Sequence, residues 1–254
     1  MHIQPMPLRS EWTRVPGGTM HSRTNLYSPP PDAPVVVLVH GMVISSSYMV
    51  PTAQRLASLC RVYAPDLPGY GQSYKPWPIL LLPQLASALA AWMDAIGVSR
   101  AHLVGNSFGC QIIAEFALLH PDRIDRIVLQ GPTVDPEART LAQQLFRLWR
   151  NRRLELRSLG RLSIKDYRAA GLRRAWETMK LALADKIEVK LPHIQASTLI
   201  VRGAKDPLVP QRWAEEVTRL LPKGQLIVIP GCPHTANYSA PLEFVRVMKP
   251  FLQL

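Results

Sequence analysis

Ser107, Asp206 and His234 are the residues through which this chain could make and break an acyl bond. A serine hydroxyl is a poor nucleophile until a base takes its proton, and an imidazole base needs a carboxylate to fix its tautomer. Ser107 lies at the centre of Gly105-Asn106-Ser107-Phe108-Gly109, with the run His102 to Val104 leading in. Ile112, Ile113, Phe116, Ala117 and Leu119 follow at a spacing that keeps returning to one helix face. A serine in such a strand–turn–helix context sits on a strained turn, and flanking glycines let strand and helix approach. The positive end of the new helix favours negative charge there. Taken alone, the pentapeptide also fits a tight turn that merely contains a serine.

The base and acid follow from position. Of the seven histidines, His2 and His21 belong to the N-terminal segment, and His102 lies inside a strand. His120 closes a helix before Pro121, and His193 precedes a buried strand. His234 differs, because Gly231-Cys232-Pro233-His234-Thr235-Ala236-Asn237 is a turn-rich loop directly after the strand Leu226–Ile229. Asp206 ends Arg202-Gly203-Ala204-Lys205-Asp206 after the strand Thr198–Val201, and Asp135 is a rival acid after the strand Arg126–Leu129. The order Ser…Asp…His, each on a strand-to-helix loop, favours Asp206. A developing oxyanion also needs donors. Phe108 supplies a backbone N–H from the helix start, and Met42 is the candidate second donor in His40-Gly41-Met42-Val43.

These residues need a scaffold that delivers them to one edge. Glu11–Val15 and Thr19–Leu26 flank Pro16-Gly17-Gly18 as a hairpin, and Pro29-Pro30-Pro31 breaks the chain after it. Val35–Val39 is a run of apolar, mostly β-branched residues, hence a strand buried on both faces. Helical spacing covers Tyr48–Leu59, Ile79–Ile96, Gln211–Leu221 and Ala240–Leu252, with strands between, including Arg61–Ala64. Alternating strands and helices imply a parallel α/β sheet with helices on both faces. From about 134 to 190 the pattern is helical throughout, so residues 1–133 and 191–254 read as a core into which 134–190 is inserted as a helical cap. Such a cap belongs above the strands' C-terminal ends, where open α/β sheets bind ligands.

The chain has 254 residues and a net charge of +12. Between Val134 and Lys190, fourteen Lys and Arg stand against seven Asp and Glu, densest from Arg147 to Arg161. That surplus suits an anionic substrate or an anionic surface, or is only a solvated helix face. No aromatic interleaving or motif points to nucleic acid. No apolar run is long enough to span a membrane, and Met1–Pro7, with no basic stretch followed by an apolar one, is not expected to be a secretory signal. Cys60, Cys110 and Cys232 lack metal-ligand spacing and suit buried roles in a reduced, cytoplasmic setting. No metal or cofactor is called for, and the oligomeric state is not legible.

His40-Gly41-Met42, Asp66-Leu67-Pro68-Gly69-Tyr70-Gly71-Gln72-Ser73, Gly105–Gly109, Arg202–Asp206 and Pro233-His234-Thr235 together resemble the α/β-hydrolase superfamily along nearly the whole chain. The resemblance implies an eight-stranded, mostly parallel sheet with a helical cap inserted after the sixth strand. It also implies a structural role for Asp66–Ser73. Ser107 stands where epoxide hydrolases and haloalkane dehalogenases carry Asp, which argues against both. Gly-Asn-Ser is similar to the carbon–carbon hydrolases of meta-cleavage products. Those have a more glycine-rich oxyanion loop and a tryptophan after the histidine, whereas here Gly41 stands alone, Thr235 follows His234, and Cys110 replaces a common second glycine.

The expected activity is therefore hydrolysis of a small carboxylic ester, with an anionic acyl group favoured if the arginines line the entrance. Alternatives are carbon–carbon bond hydrolysis, acyl transfer to an acceptor other than water, and a ligand-binding protein that kept the fold without the chemistry. Trp149, Tyr167, Trp176 and Met179 are candidate pocket residues in the cap, although their helical spacing equally suits core packing.

Overall fold

Alternate residues of Val35–Val39 enter different cores. Val35, Val37 and Val39 pack on one side of a sheet, and Val36 and Leu38 on the other. This is β3 of a computed structural model that describes residues 3–27, 29, 30 and 32–254. His2 and Pro31 lie outside the described residues. The other strands are β1 (Leu8–Val15), β2 (Gly18–Asn25), β4 (Arg61–Pro65), β5 (Ala101–Asn106), β6 (Ile124–Gln130), β7 (Ser197–Gly203) and β8 (Gly224–Ile229). They form one eight-stranded sheet in the order β1-β2-β4-β3-β5-β6-β7-β8. The β1–β2 and β2–β4 pairs are antiparallel and the remaining pairs parallel.

Helices cover both faces. On one lie α2 (Leu82–Ala95), α3 (Phe108–Leu119) and α8 (Gln211–Leu220), which contribute Leu89, Ile112 and Trp213 to the core. On the other lie α1 (Val50–Leu56) and α10 (Pro241–Leu252), with Leu56, Phe244 and Met248. The helical spacing from Ile79 overshoots, because α2 begins only at Leu82. Pro83 occupies its first turn, and a proline tolerated there would clash with a carbonyl one turn earlier in a longer helix.

Register fixes what the site needs. Val39 pairs with Gly105, Asn106 with Gln130, Gln130 with Val201 and Gly203 with Ile229. The loops after β3, β5, β6, β7 and β8 therefore leave the sheet side by side.

Between β6 and β7 run α4 (Leu141–Arg152), α5 (Arg157–Ala170), α6 (Leu172–Ala184) and the short α7 (Ile187–Lys190). Polar contacts seat this block on the sheet. Asp166 accepts from the amide and hydroxyl of Ser45, both at 2.8 Å, and Gln111 donates to the Ala182 carbonyl at 3.0 Å. The segment from Asp66 to Ser73 is structural, as the resemblance implies. Asp66 holds His21 of β2 at 2.8 Å and the amide of Gln72 at 2.9 Å, tying the sheet's antiparallel edge to its parallel part.

Candidate active site

Ser107 joins β5 to α3 with φ 56 and ψ −119, a conformation a residue with a Cβ rarely adopts. The neighbours explain why it can. A Cβ at Gly109 would lie 2.5 Å from the Val39 carbonyl oxygen, and one at Gly105 would lie 2.7 Å from Ile113 Cδ1. Glycine at both positions lets helix and strands close on the turn. The Ser107 amide is anchored to the Gln130 carbonyl at 3.0 Å. Its hydroxyl is 3.5 Å from Thr133 Oγ1 on the next loop.

His234 Nδ1 and Asp206 Oδ2 are 2.7 Å apart, and both side chains are buried. A carboxylate only accepts, so the proton sits on Nδ1 and leaves a lone pair on Nε2. That Nε2 is buried and has no hydrogen-bond partner among the described residues. Asp206 is held by its own loop, with Oδ1 accepting from the amides of Leu208 and Val209 at 2.8 and 3.1 Å. Burial lowers the histidine's proton affinity, but the charge and hydrogen bond of Asp206, with the charge of Glu155, leave it raised above the ordinary value. Gly131 makes room for the pair, since a Cβ there would lie 2.8 Å from His234 Cε1 and 3.3 Å from Asp206 Oδ2.

A buried polar relay joins the three loops. The Gly41 amide donates to Tyr48 Oη at 2.8 Å, and Tyr48 Oη donates to Asn106 Oδ1. Asn106 Nδ2 donates to Gln130 Oε1 at 2.6 Å, and Gln130 Nε2 donates to the His234 carbonyl. Burial pushes the Tyr48 phenol well above its ordinary pKa, so it stays neutral and can both accept and donate. From above, Glu155 accepts from the Thr235 amide at 2.9 Å and from the Ser239 hydroxyl at 2.6 Å. Asn151 Oδ1 accepts from the His234 amide at 3.3 Å.

Tyr48, Gln130, Thr133, Asn151 and Glu155 were not singled out by sequence reasoning. Gln130 carried a signal, being a polar residue that directly follows the buried apolar run Ile127–Leu129. Glu155 carried none, because Thr235 and Ser239, the partners that tie it to the histidine loop, lie 80 and 84 residues away.

The remaining sequence candidates are placed as follows. Phe108 opens α3, where a first-turn N–H has no intrahelical partner. Met42 follows Gly41 and packs its side chain on the core, and the loop turns at buried Val43 with φ 58. Asp135, the rival acid, is occupied by Arg147 at 2.8 Å and Arg212 at 2.7 Å. Tyr167 packs against the core, and Met179 is partly buried. Trp149 and Trp176 are half exposed, and Trp149 stacks on Phe146 on the outward side of α4.

A cleft of about 420 Å³ between α4 and the acid loop is lined by Phe146, Arg147, Arg150, Arg202, Asp206 and Pro207, among others. Among the described residues no group of three or more His, Cys, Asp or Glu side chains is placed to hold a metal ion. The three cysteines are free and buried, and burial pushes the Cys60 thiol up to about 12.

An open sheet whose aligned loops carry a turn-mounted serine and an acid-paired histidine defines the alpha/beta hydrolase class. The chain belongs to that family, whose sequence model matches residues 36–247. It is similar to the 2-hydroxy-6-oxo-6-phenylhexa-2,4-dienoate hydrolase of Burkholderia cepacia, 30% identical over 222 residues, covering 76% of this chain and 77% of that one. It is also similar to the 2-hydroxy-6-oxo-2,4-heptadienoate hydrolase of Pseudomonas putida, 27% identical over 258 residues, covering 90% and 92%. Among solved structures, a bacterial membrane phospholipase A superposes with a TM-score of 0.82 over 97% of this chain and 86% of that one. At 23% identity that likeness concerns the fold alone.

Proposed function

We propose that the protein cleaves carboxylic esters through an acyl-enzyme on Ser107, beneath a cap formed by residues 134–190. The observation that carries this reading is His234, whose Nδ1 is bound to Asp206 while Nε2 is buried and unpartnered, and whose backbone carbonyl is 3.4 Å from Nδ2 of Asn106, the residue before Ser107. Nε2 takes the Ser107 proton as the hydroxyl oxygen attacks the ester carbonyl. The tetrahedral oxyanion is held by the amides of Phe108 and Met42. His234 then protonates the leaving alcohol. Next it takes a proton from water, which attacks the acyl carbon, and it returns that proton to Ser107 Oγ as the bond from the acyl carbon to Oγ breaks and the acid leaves. Asp206 keeps the imidazole in the working tautomer and stabilises its protonated form.

The test is Ser107→Ala with a short p-nitrophenyl ester. Turnover is expected to fall by roughly 10⁴–10⁶ while thermal unfolding is unchanged. Undiminished activity would refute the assignment.

A second reading, carbon–carbon bond hydrolysis, is favoured by the names of the relatives and by Asn106 before the serine. Supplying the purified protein with a simple acyl ester and with a 2-hydroxy-6-oxo dienoate separates the two. Preference for the dienoate would replace the ester assignment and leave Ser107 in its place.

A further inference from the structure

Helix α4 is packed with its apolar side outward. Its inner side presents Gln144, Arg147 and Asn151, which bond to the Ala138 carbonyl, Asp135 and the His234 amide, with Leu148 packing on the core. Its outer side presents Leu145, Phe146 and Trp149, which are 51%, 57% and 49% exposed. Leu154 and Leu156 extend the exposed apolar surface into the following turn. A helix buried for its own stability would face the other way. Singly exposed apolar residues are ordinary, but a contiguous run with two stacked aromatic rings marks a surface that meets something else.

Its charge says what. Arg150, Arg152, Arg153, Arg157 and Arg161 are exposed and fall within and just after the apolar run in the chain, and none forms an ion pair among the described residues. The one acid in that stretch, Glu155, is turned inward onto Thr235 and Ser239. The guanidinium of Arg153 lies 3.8 Å from the Trp149 ring centroid, and that of Arg150 lies 5.9 Å from Phe146. Aromatic rings and leucines rimmed by unpaired arginines match the acyl–headgroup boundary of an anionic bilayer. Among the described residues no helix is long and apolar enough to cross a membrane, so the contact is peripheral. Phe146 and Arg150 also line the cleft that Asp206 lines, so the same face borders that cleft.

We propose that the outward face of α4 and the turn after it, centred on Phe146, Trp149, Arg150 and Arg153, docks the protein on an anionic lipid surface. Docking does not require chemistry at Ser107, so its test reads binding alone. The intact protein is sedimented with vesicles of phosphatidylcholine, with and without phosphatidylglycerol, at low and high salt. Binding is expected to the anionic vesicles, about tenfold or more weaker to neutral ones, and released by salt. Arg152→Gln with Arg153→Gln is expected to weaken it about twenty-five-fold, from roughly fivefold per basic residue. Trp149→Ser is expected to weaken it about tenfold. All these side chains are exposed, so both variants should melt with the wild type.

Failure of the wild type to bind anionic vesicles overturns the proposal. So does wild-type binding by both variants, which would reduce the effect to net charge. Sedimentation velocity supplies a further arm: a dimer that Trp149→Ser dissolves would mean that a second copy of this chain covers the face instead.

Discussion

At His234 burial and charge oppose one another, and charge wins. Asp206 contributes through its hydrogen bond and its charge, and Glu155 adds a second negative charge from the helical block. Only the neutral imidazole can take the Ser107 proton, so kcat/KM is expected to fall on the acid side with an apparent pKa above the ordinary histidine value of about 6.5. Glu155→Gln removes a charge that raises that pKa and keeps an oxygen for the Thr235 amide. Its acid limb is therefore expected to move to lower pH. Glu155→Ala also frees the histidine loop, and kcat is expected to drop roughly 10–10²-fold through misplacement of the base. A pH–rate profile of the three proteins checks both, and a limb that stays in place in the Gln variant would exclude an electrostatic role for Glu155. The places of Ser107, Asp206 and His234 were legible because each lies on the loop after a strand end, β5, β7 and β8. Glu155 was not, since nothing local distinguishes it from other helix-surface acids.

At the scale of elements, the loop from Asp66 to Ser73 shows how a short motif becomes a stability device. Burial alone would raise the Asp66 pKa, but hydrogen bonds from His21 and the amides of Gln72 and Ser46 bring it down to about 2. Because the folded value is depressed, the stabilisation is complete above the unfolded pKa of about 4 and is lost as pH falls from there through 2. The depression corresponds to about 2 kcal/mol. Denaturant unfolding stepped through this window should show the loss, and Asp66→Asn should flatten it while lowering stability at neutral pH. An unaltered slope in the variant would place the acid sensitivity elsewhere. The motif was readable as structural, yet its partners His21 and Ser46 were not, because they come from other elements. The orientation of α4 was also hidden: its periodicity reports two faces but not which one is covered, and the covered one proved to be polar.

Across the whole molecule, alternating strands and helices made the parallel sheet legible, and the break in alternation after β6 located the helical block. What no local pattern could supply was the register that lines up Val39, Asn106, Gln130, Gly203 and Ile229, since that depends on pairing between distant segments. The charge distribution was legible too, and it has a consequence for rate. A protein of net charge +12, with Arg147, Arg150 and Arg202 on the cleft beside Asp206, draws anions toward that cleft. Two of the three are already engaged, Arg147 by Asp135 and Arg202 by backbone carbonyls, so the attraction is mainly long-range and should be screened by salt. An ester with an anionic acyl group is expected to show a higher kcat/KM than its neutral isostere at low ionic strength. The excess should shrink as salt is raised and should lie in KM more than in kcat. The neutral ester, with no charge to steer, serves as the internal control. Identical salt dependence for the two esters would mean that the arginines serve the outer surface alone and leave the approach of substrate unaffected.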